Sequence, residues 1–146
     1  MSGEHILLIH LFTTFALFGL IWTIQLVHYP FFQQIEPEQF KEILLKHGKR
    51  ITPLVAPLMV IELGTAIYLA IYAVSHFNYH LAGLVLVIMI WLSTFFIQVP
   101  LHSALIQKHD SEKIRRLIGT NWIRTILWSL KSVIGLMLLF EILGRM

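Results

Sequence analysis

The residues of this sequence that can do chemistry are polar and charged side chains set inside apolar runs, where each is expensive to keep and therefore informative. Towards the C-terminus, Asn121, Arg124, Thr125, Trp128, Lys131 and Ser132 fall at offsets of 0, 3, 4, 7, 10 and 11, one face of an α-helix. Trp91, Thr94, Gln98 and His102 are spaced by three, four and four, and Trp22, Gln25 and His28 by three and three. Glu62 has Thr65 one turn on. Each of four apolar segments thus contributes to a polar interior.

Two levels of that interior stand out. His28, Gln98, His102, Asn121 and Arg124 lie near one set of segment ends, with His47 above them. An imidazole there suits a general base, and an arginine beside an amide suits an oxyanion. His102, Arg124, Asn121 and His28 are therefore the catalytic candidates. His28, His47 and His102 are also the candidates for a metal or haem iron, since imidazole nitrogen is the commonest such ligand. No short ligand motif joins the three, and histidines anchored at the interface by headgroups and water are the alternative. For Arg124 the alternative is to snorkel towards lipid phosphates. Trp91, Trp128 and Tyr29 either wall an aromatic pocket or simply pack. His5, His10, His76, His80 and His109 read as terminal, loop or surface residues.

The second level is deeper. Counted from Thr52 and Thr120, Glu62 and Lys131 are ten and eleven residues in, or about 15 Å at the helical rise, near the middle of a hydrocarbon core. They are candidate partners, either as a buried pair that fixes helix order or as a pair that handles protons or anchors a substrate. Together with Gln25, His47, Trp91, Gln98 and Trp128 they are the expected lining of a pocket.

The elements that must position these groups follow from hydropathy. Of 146 residues 57% are hydrophobic and 13% charged, and the mean hydropathy is +0.75. A soluble domain carries about a quarter charged residues. Segments of about 6–29, 53–74, 81–99 continuing to about 107, and 121–143 are each long enough to cross a core of ~30 Å, and backbone in lipid must satisfy itself as helix. The expectation is an all-α, four-helix membrane bundle forming one domain. Met1-Ser2-Gly3-Glu4-His5 has no basic run, so the first segment is expected to be a helix and not a signal peptide.

Between the first two segments, Glu36-Pro37-Glu38-Gln39 reads as a helix start and Gly48 as a stop, giving an amphipathic interfacial helix over 37–48. Its apolar face is Phe40, Ile43 and Leu44, continued by His47. In the third connection Asp110-Ser111 can cap a second short run ending at Gly119, with Thr120 capping the fourth segment. Lys41, Lys46, Lys49, Arg50, Lys108, Lys113, Arg115, Arg116 and Arg124 lie in or beside these two connections, against Arg145 alone on the other side. The positive-inside rule then puts both connections in the cytoplasm and both termini outside, as in a bacterial inner membrane.

There is no cysteine, which excludes disulfides, thiolate metal sites and thiol nucleophiles. The net charge of +3 and pI near 9.4 come from residues flanking apolar segments, so they face lipid headgroups and not nucleic acid.

The run Val99-Pro100-Leu101-His102-Ser103-Ala104-Leu105, followed by Asn121-Trp122-Ile123-Arg124-Thr125, resembles the anthrone oxygenase-like family of small four-helix membrane proteins. Tyr29-Pro30, the amphipathic stretch and Pro53 are similar to that family's first half. Its members usually carry Asn where His102 stands, and Trp where Thr120 stands. The resemblance implies a four-helix membrane fold and oxygenation of a polycyclic phenolic substrate without an obvious metal motif, with Asn121 and Arg124 at the site. The function expected is a membrane oxidoreductase or oxygenase with a cytoplasm-facing pocket for an apolar aromatic or quinone-like molecule. The alternative is a non-enzymatic transporter, an ion- or haem-binding protein, or an interaction subunit. The bilayer is the expected partner, with an apolar small molecule and self-association as further ones; no motif requires a cofactor.

Overall fold

The structure, a computed structural model, describes residues 3–73 and 75–144. It is all-α, with four helices long and apolar enough to cross a membrane: α1 (Gly3–Gln34), α2 (Pro37–Tyr72), α3 (Phe77–Gln107) and α4 (Ser111–Leu143). Val74, the expected end of the second span, and Arg145, the one cation expected on that side, lie outside the described residues, as do Met1 and Ser2.

Short connections make the bundle up-and-down, and α1 packs on α2 and α4 while α3 packs on α2 and α4. Its surface is inverted relative to a soluble bundle. Phe12, Phe96 and Phe140 are 69%, 76% and 70% exposed, while Glu62, Lys131, Asn121 and Gln98 are buried. Only lipid tails make such an exterior favourable. The chain is a multi-pass integral membrane protein.

Two expected boundaries are absent. The amphipathic stretch is helical, with Phe40 and Leu44 buried and Lys41 and Glu42 exposed as expected, but it runs into the second span as one helix of 36 residues. Gly48 sits in mid-helix and stops nothing. Pro53 and Pro57, one turn apart on the exposed face, are accommodated within it. Likewise α4 runs unbroken through Gly119, and Thr120 does not cap: its hydroxyl donates to the Arg116 carbonyl one turn back. The cap expected from Asp110 is present, its carboxylate accepting from the backbone N–H groups of Glu112 and Lys113 at 3.0 and 3.1 Å. Helix propensity across a single glycine costs only about 1 kcal/mol, and neighbouring packing outweighs it.

At 1.5 Å per residue α2 is about 54 Å long, well beyond a hydrocarbon core of ~30 Å. The excess lies at the end that carries the lysines and arginines, here the basic end. A core of Ile24, Tyr29, Phe32, Ile35, Phe40, Leu44, Leu105, Ile114 and Leu117 holds that end together. Deeper in, Leu17, Ile21, Met59, Ile90, Leu127 and Trp128 form a second core.

Both α1 and α3 contain a wide π turn, at Ile24–His28 and Thr94–Gln98. In each, the residue before a proline closes the turn by donating five residues back, Tyr29 to Ile24 and Val99 to Thr94. Pro30 and Pro100 have no N–H and crowd the carbonyl four residues back, so widening the turn by one residue is the local solution.

Candidate functional site

The π turns decide which side chains face inward at the basic end. In a regular helix His28, three residues after Gln25, would share its face. The wider turn passes that position to Tyr29, which is 3% exposed, while His28 is exposed. The Tyr29 hydroxyl is 3.1 Å from His102 Nε2 and 3.5 Å from Gln98 Oε1, and the Arg124 guanidinium lies beside it. Gln98 Nε2 donates to Thr120 Oγ1 at 3.0 Å.

Arg124 does not snorkel. It is 7% exposed, stands 5.4 Å over the Trp128 ring, and its Nε has no hydrogen-bond partner among the described residues. A desolvated cation over tryptophan is worth about 2 kcal/mol, yet the unused donor still favours an incoming acceptor.

A cavity of about 520 Å³ opens between α2 and α3 against this group. Its polar floor is Tyr29, Gln98, His102 and Arg124, and its walls include Met59, Val55, Trp91 and Phe95. Trp91 also has an indole N–H without a partner among the described residues. Of the residues expected from the sequence, His102, Arg124, His47, Trp91 and Gln98 meet here.

The others do not. Asn121 faces elsewhere: its amide donates to Gln25 Oε1 at 2.9 Å, Thr125 donates to the same oxygen at 3.4 Å, and Gln25 Nε2 donates to the Ile118 carbonyl. That amide knot ties α1 to α4 and lies outside the cavity lining, with Asn121 Oδ1 left without a partner among the described residues. His28 lines a separate cleft with His47, their rings 5.6 Å apart, and it is not a base for the Arg124 cavity. Among the described residues no group of three His, Cys, Asp or Glu could hold a metal ion, so His28, His47 and His102 do not converge as one ligand set.

Half-way down the bundle, Lys131 Nζ lies 2.9 Å from Glu62 Oε1, the pairing expected from their equal depths. Thr14 donates to Glu62 Oε1 at 3.0 Å and Trp128 Nε1 to Oε2 at 3.2 Å. Lys131 also meets Thr14 Oγ1, and it lies 3.1 Å from His10 Nε2. Thr65 sends its hydroxyl proton to the carbonyls of Ile61 and Glu62, so its oxygen accepts from His10 Nδ1, 2.9 Å away. That leaves His10 Nε2 as an acceptor. Three acceptors then surround the ammonium and three donors the carboxylate, which offsets much of the cost of burying both.

His10, which the sequence suggests is superficial, is part of this centre. It sits on the face of α1 that carries the buried Leu11, Thr14, Leu17 and Ile21, and that spacing is the signal that finds it. His80, also expected in a loop or at the surface, is buried near the start of α3. Trp128 joins the two levels, since its N–H binds Glu62 and its ring faces Arg124.

Comparison with protein families, characterised proteins and solved structures finds no match to this chain.

Proposed function

We propose that this protein binds an apolar, ring-bearing molecule with a phenolic, carbonyl or quinone-type oxygen in the cavity between α2 and α3, and handles a proton at that oxygen. The observation that carries the proposal is a buried arginine with an unused donor at the floor of an otherwise apolar space of about 520 Å³. The oxygen is received by Arg124, and the aromatic walls Trp91 and Phe95 receive the rings. His102 accepts the phenolic proton: the O–H bond breaks, the proton moves to the imidazole, and the negative charge left on oxygen rests against the guanidinium.

Transfer of electrons from the resulting phenolate to dioxygen, with one oxygen atom going into the ring and the other leaving as water, is the step that would make the protein an oxygenase of the kind implied by the resemblance to the anthrone oxygenase-like family. His102 and Arg124 support the deprotonation that precedes it; Asn121, which donates to Gln25, lies outside the cavity lining. The crowding of lysine and arginine around the first and third connections supports a cytoplasmic basic end, with both termini on the far side of a bacterial inner membrane.

A hydroxyanthraquinone tests this, because its visible absorption reports ionisation of the ring hydroxyl. Bound to the wild-type protein in detergent, it takes the phenolate spectrum at a pH where the free dye is neutral. Arg124→Gln and His102→Phe abolish that change while each keeps a cooperative melt. A bound spectrum that stays neutral, or one unaffected by Arg124→Gln, contradicts the proposal.

A second function, non-enzymatic proton or ion handling, is favoured by one separate observation, the Glu62–Lys131–His10 centre at mid-depth.

A further inference from the structure

The half of the bundle away from the basic end contains a line of ionisable groups that the ligand cavity does not use. At its outer end His76 Nδ1 is 3.5 Å from Glu141 Oε2. His76 holds a left-handed backbone (φ 59°) at the turn into α3, and the His80 N–H bonds back to its carbonyl at 3.3 Å. One helical turn inward, buried His80 faces a small void of about 20 Å³ that is also lined by Tyr79, His10, Thr14 and Lys131. A void of this size holds one water, and this one offers the several polar partners that a buried water needs. Beyond it lie Lys131 and, 2.9 Å further, Glu62.

From this we infer that the far half of the bundle is a proton-access path running from the His76–Glu141 pair through His80 and the void to Lys131 and Glu62. It makes the protonation of Glu62 follow the pH on the far side of the membrane. The step balances simply. Lys131 passes one N–H proton to Glu62 Oε1, leaving a neutral amine and a neutral acid, and a proton arriving from His80 through the void restores the ammonium. The net change is one proton taken up, with the ion pair exchanged for an ammonium beside a carboxylic acid.

Groups facing the path come from all four helices and the turn before α3: His10 from α1, Glu62 from α2, His76 from the turn, Tyr79 and His80 from α3, and Lys131 and Glu141 from α4. Towards the basic end the route is closed by Trp128, whose N–H is committed to Glu62 and whose ring carries no exchangeable relay to Arg124. Access is therefore one-sided. The path rests on the second reading given above, proton handling at the Glu62–Lys131–His10 centre, and not on ligand binding in the larger cavity.

Gly83 lines the void, and a Cβ added there meets no atom within 4 Å, so the void can be filled without removing an ionisable group. The experiment uses the full chain in sealed vesicles, sorted by whether trypsin cuts at the exposed lysines and arginines of the basic end. An apolar carbodiimide, which adds only to a protonated carboxylic acid, is followed by mass spectrometry of the Glu62 peptide while the pH on each side is varied separately. Glu62→Gln gives the background. Wild-type labelling is expected to rise when the far-side pH falls and to ignore the pH at the basic end. Gly83→Val and His80→Phe, with melting temperatures near wild type, should slow the far-side response by roughly tenfold or more. If a variant melts early, Gly83→Ala gives a graded, milder block to be judged in its place. Labelling that follows the basic-end pH, that is absent at every pH, or that is unchanged when the void is filled overturns the inference.

Discussion

At the scale of single residues, the interior divides into side chains that hold the bundle and side chains left with capacity to spare. Glu62 and Lys131 belong to the first group, because every donor and acceptor of the pair is engaged. Removing one partner strands the other charge. Lys131→Met and Glu62→Leu alone should each destabilise by about 3–5 kcal/mol, while the double variant should recover most of that loss. Thermal melts of the four proteins in one detergent decide it, and additive losses would show that the two groups do not act as a pair. Arg124 and Trp91 belong to the second group, each with a buried donor that finds no protein acceptor among the described residues. The sequence places Arg124, Lys131 and Glu62 correctly because charge inside an apolar run needs no structure to be noticed. It misplaces His10, since a histidine close to a chain end looks superficial until the buried face of α1 is traced through Leu11, Thr14 and Leu17.

At the scale of elements, the four spans are legible from hydropathy alone, but their ends and two internal turns are not. Gly48 and Gly119 resemble stops because glycine is common just past a helix end, yet both have helical backbone on either side. A Cβ at either position meets nothing within 4 Å. Gly48→Ala and Gly119→Ala should therefore stabilise by about 0.5–1 kcal/mol each. Lower melting temperatures would restore the broken-helix arrangement that the sequence suggests. The π turns are harder to foresee, because a helical wheel assumes one period throughout. Their consequence is that Tyr29, and not His28, faces Arg124. Pro30→Ala and Pro100→Ala supply the missing N–H, allow a regular turn, and should lower dye binding while leaving total helicity unchanged by circular dichroism. The Asp110 cap lies outside the spans and has a pH signature. Its carboxyl is held below the usual range chiefly by the Lys113 N–H, with help from that of Glu112. It thus contributes at pH values above its unfolded pKa, and its contribution disappears as the pH falls through the lower folded value. Asp110→Asn, which keeps a side-chain acceptor, should flatten that part of the acid profile.

At the scale of the whole molecule, four long helices enclose two polar centres facing opposite ends and separated by one tryptophan. Trp128 closes the Glu62 centre with its N–H and the Arg124 centre with its ring. Extra helix length at the basic end gives the larger cavity walls on all four helices, from Ile24 on α1 to Arg124 on α4. On the function proposed above, this cavity takes a flat apolar molecule entering from the bilayer. The most direct test is a titration with a short-chain quinone, followed by tryptophan fluorescence in wild-type protein, Trp91→Phe and Arg124→Gln. The structure predicts saturable quenching in the wild type, loss of most of the saturable part in Trp91→Phe, and an affinity weakened by about tenfold or more in Arg124→Gln, as expected for one hydrogen bond to a charged group. Quenching that rises without saturation and equally in all three proteins, as simple partitioning into detergent would give, contradicts the account.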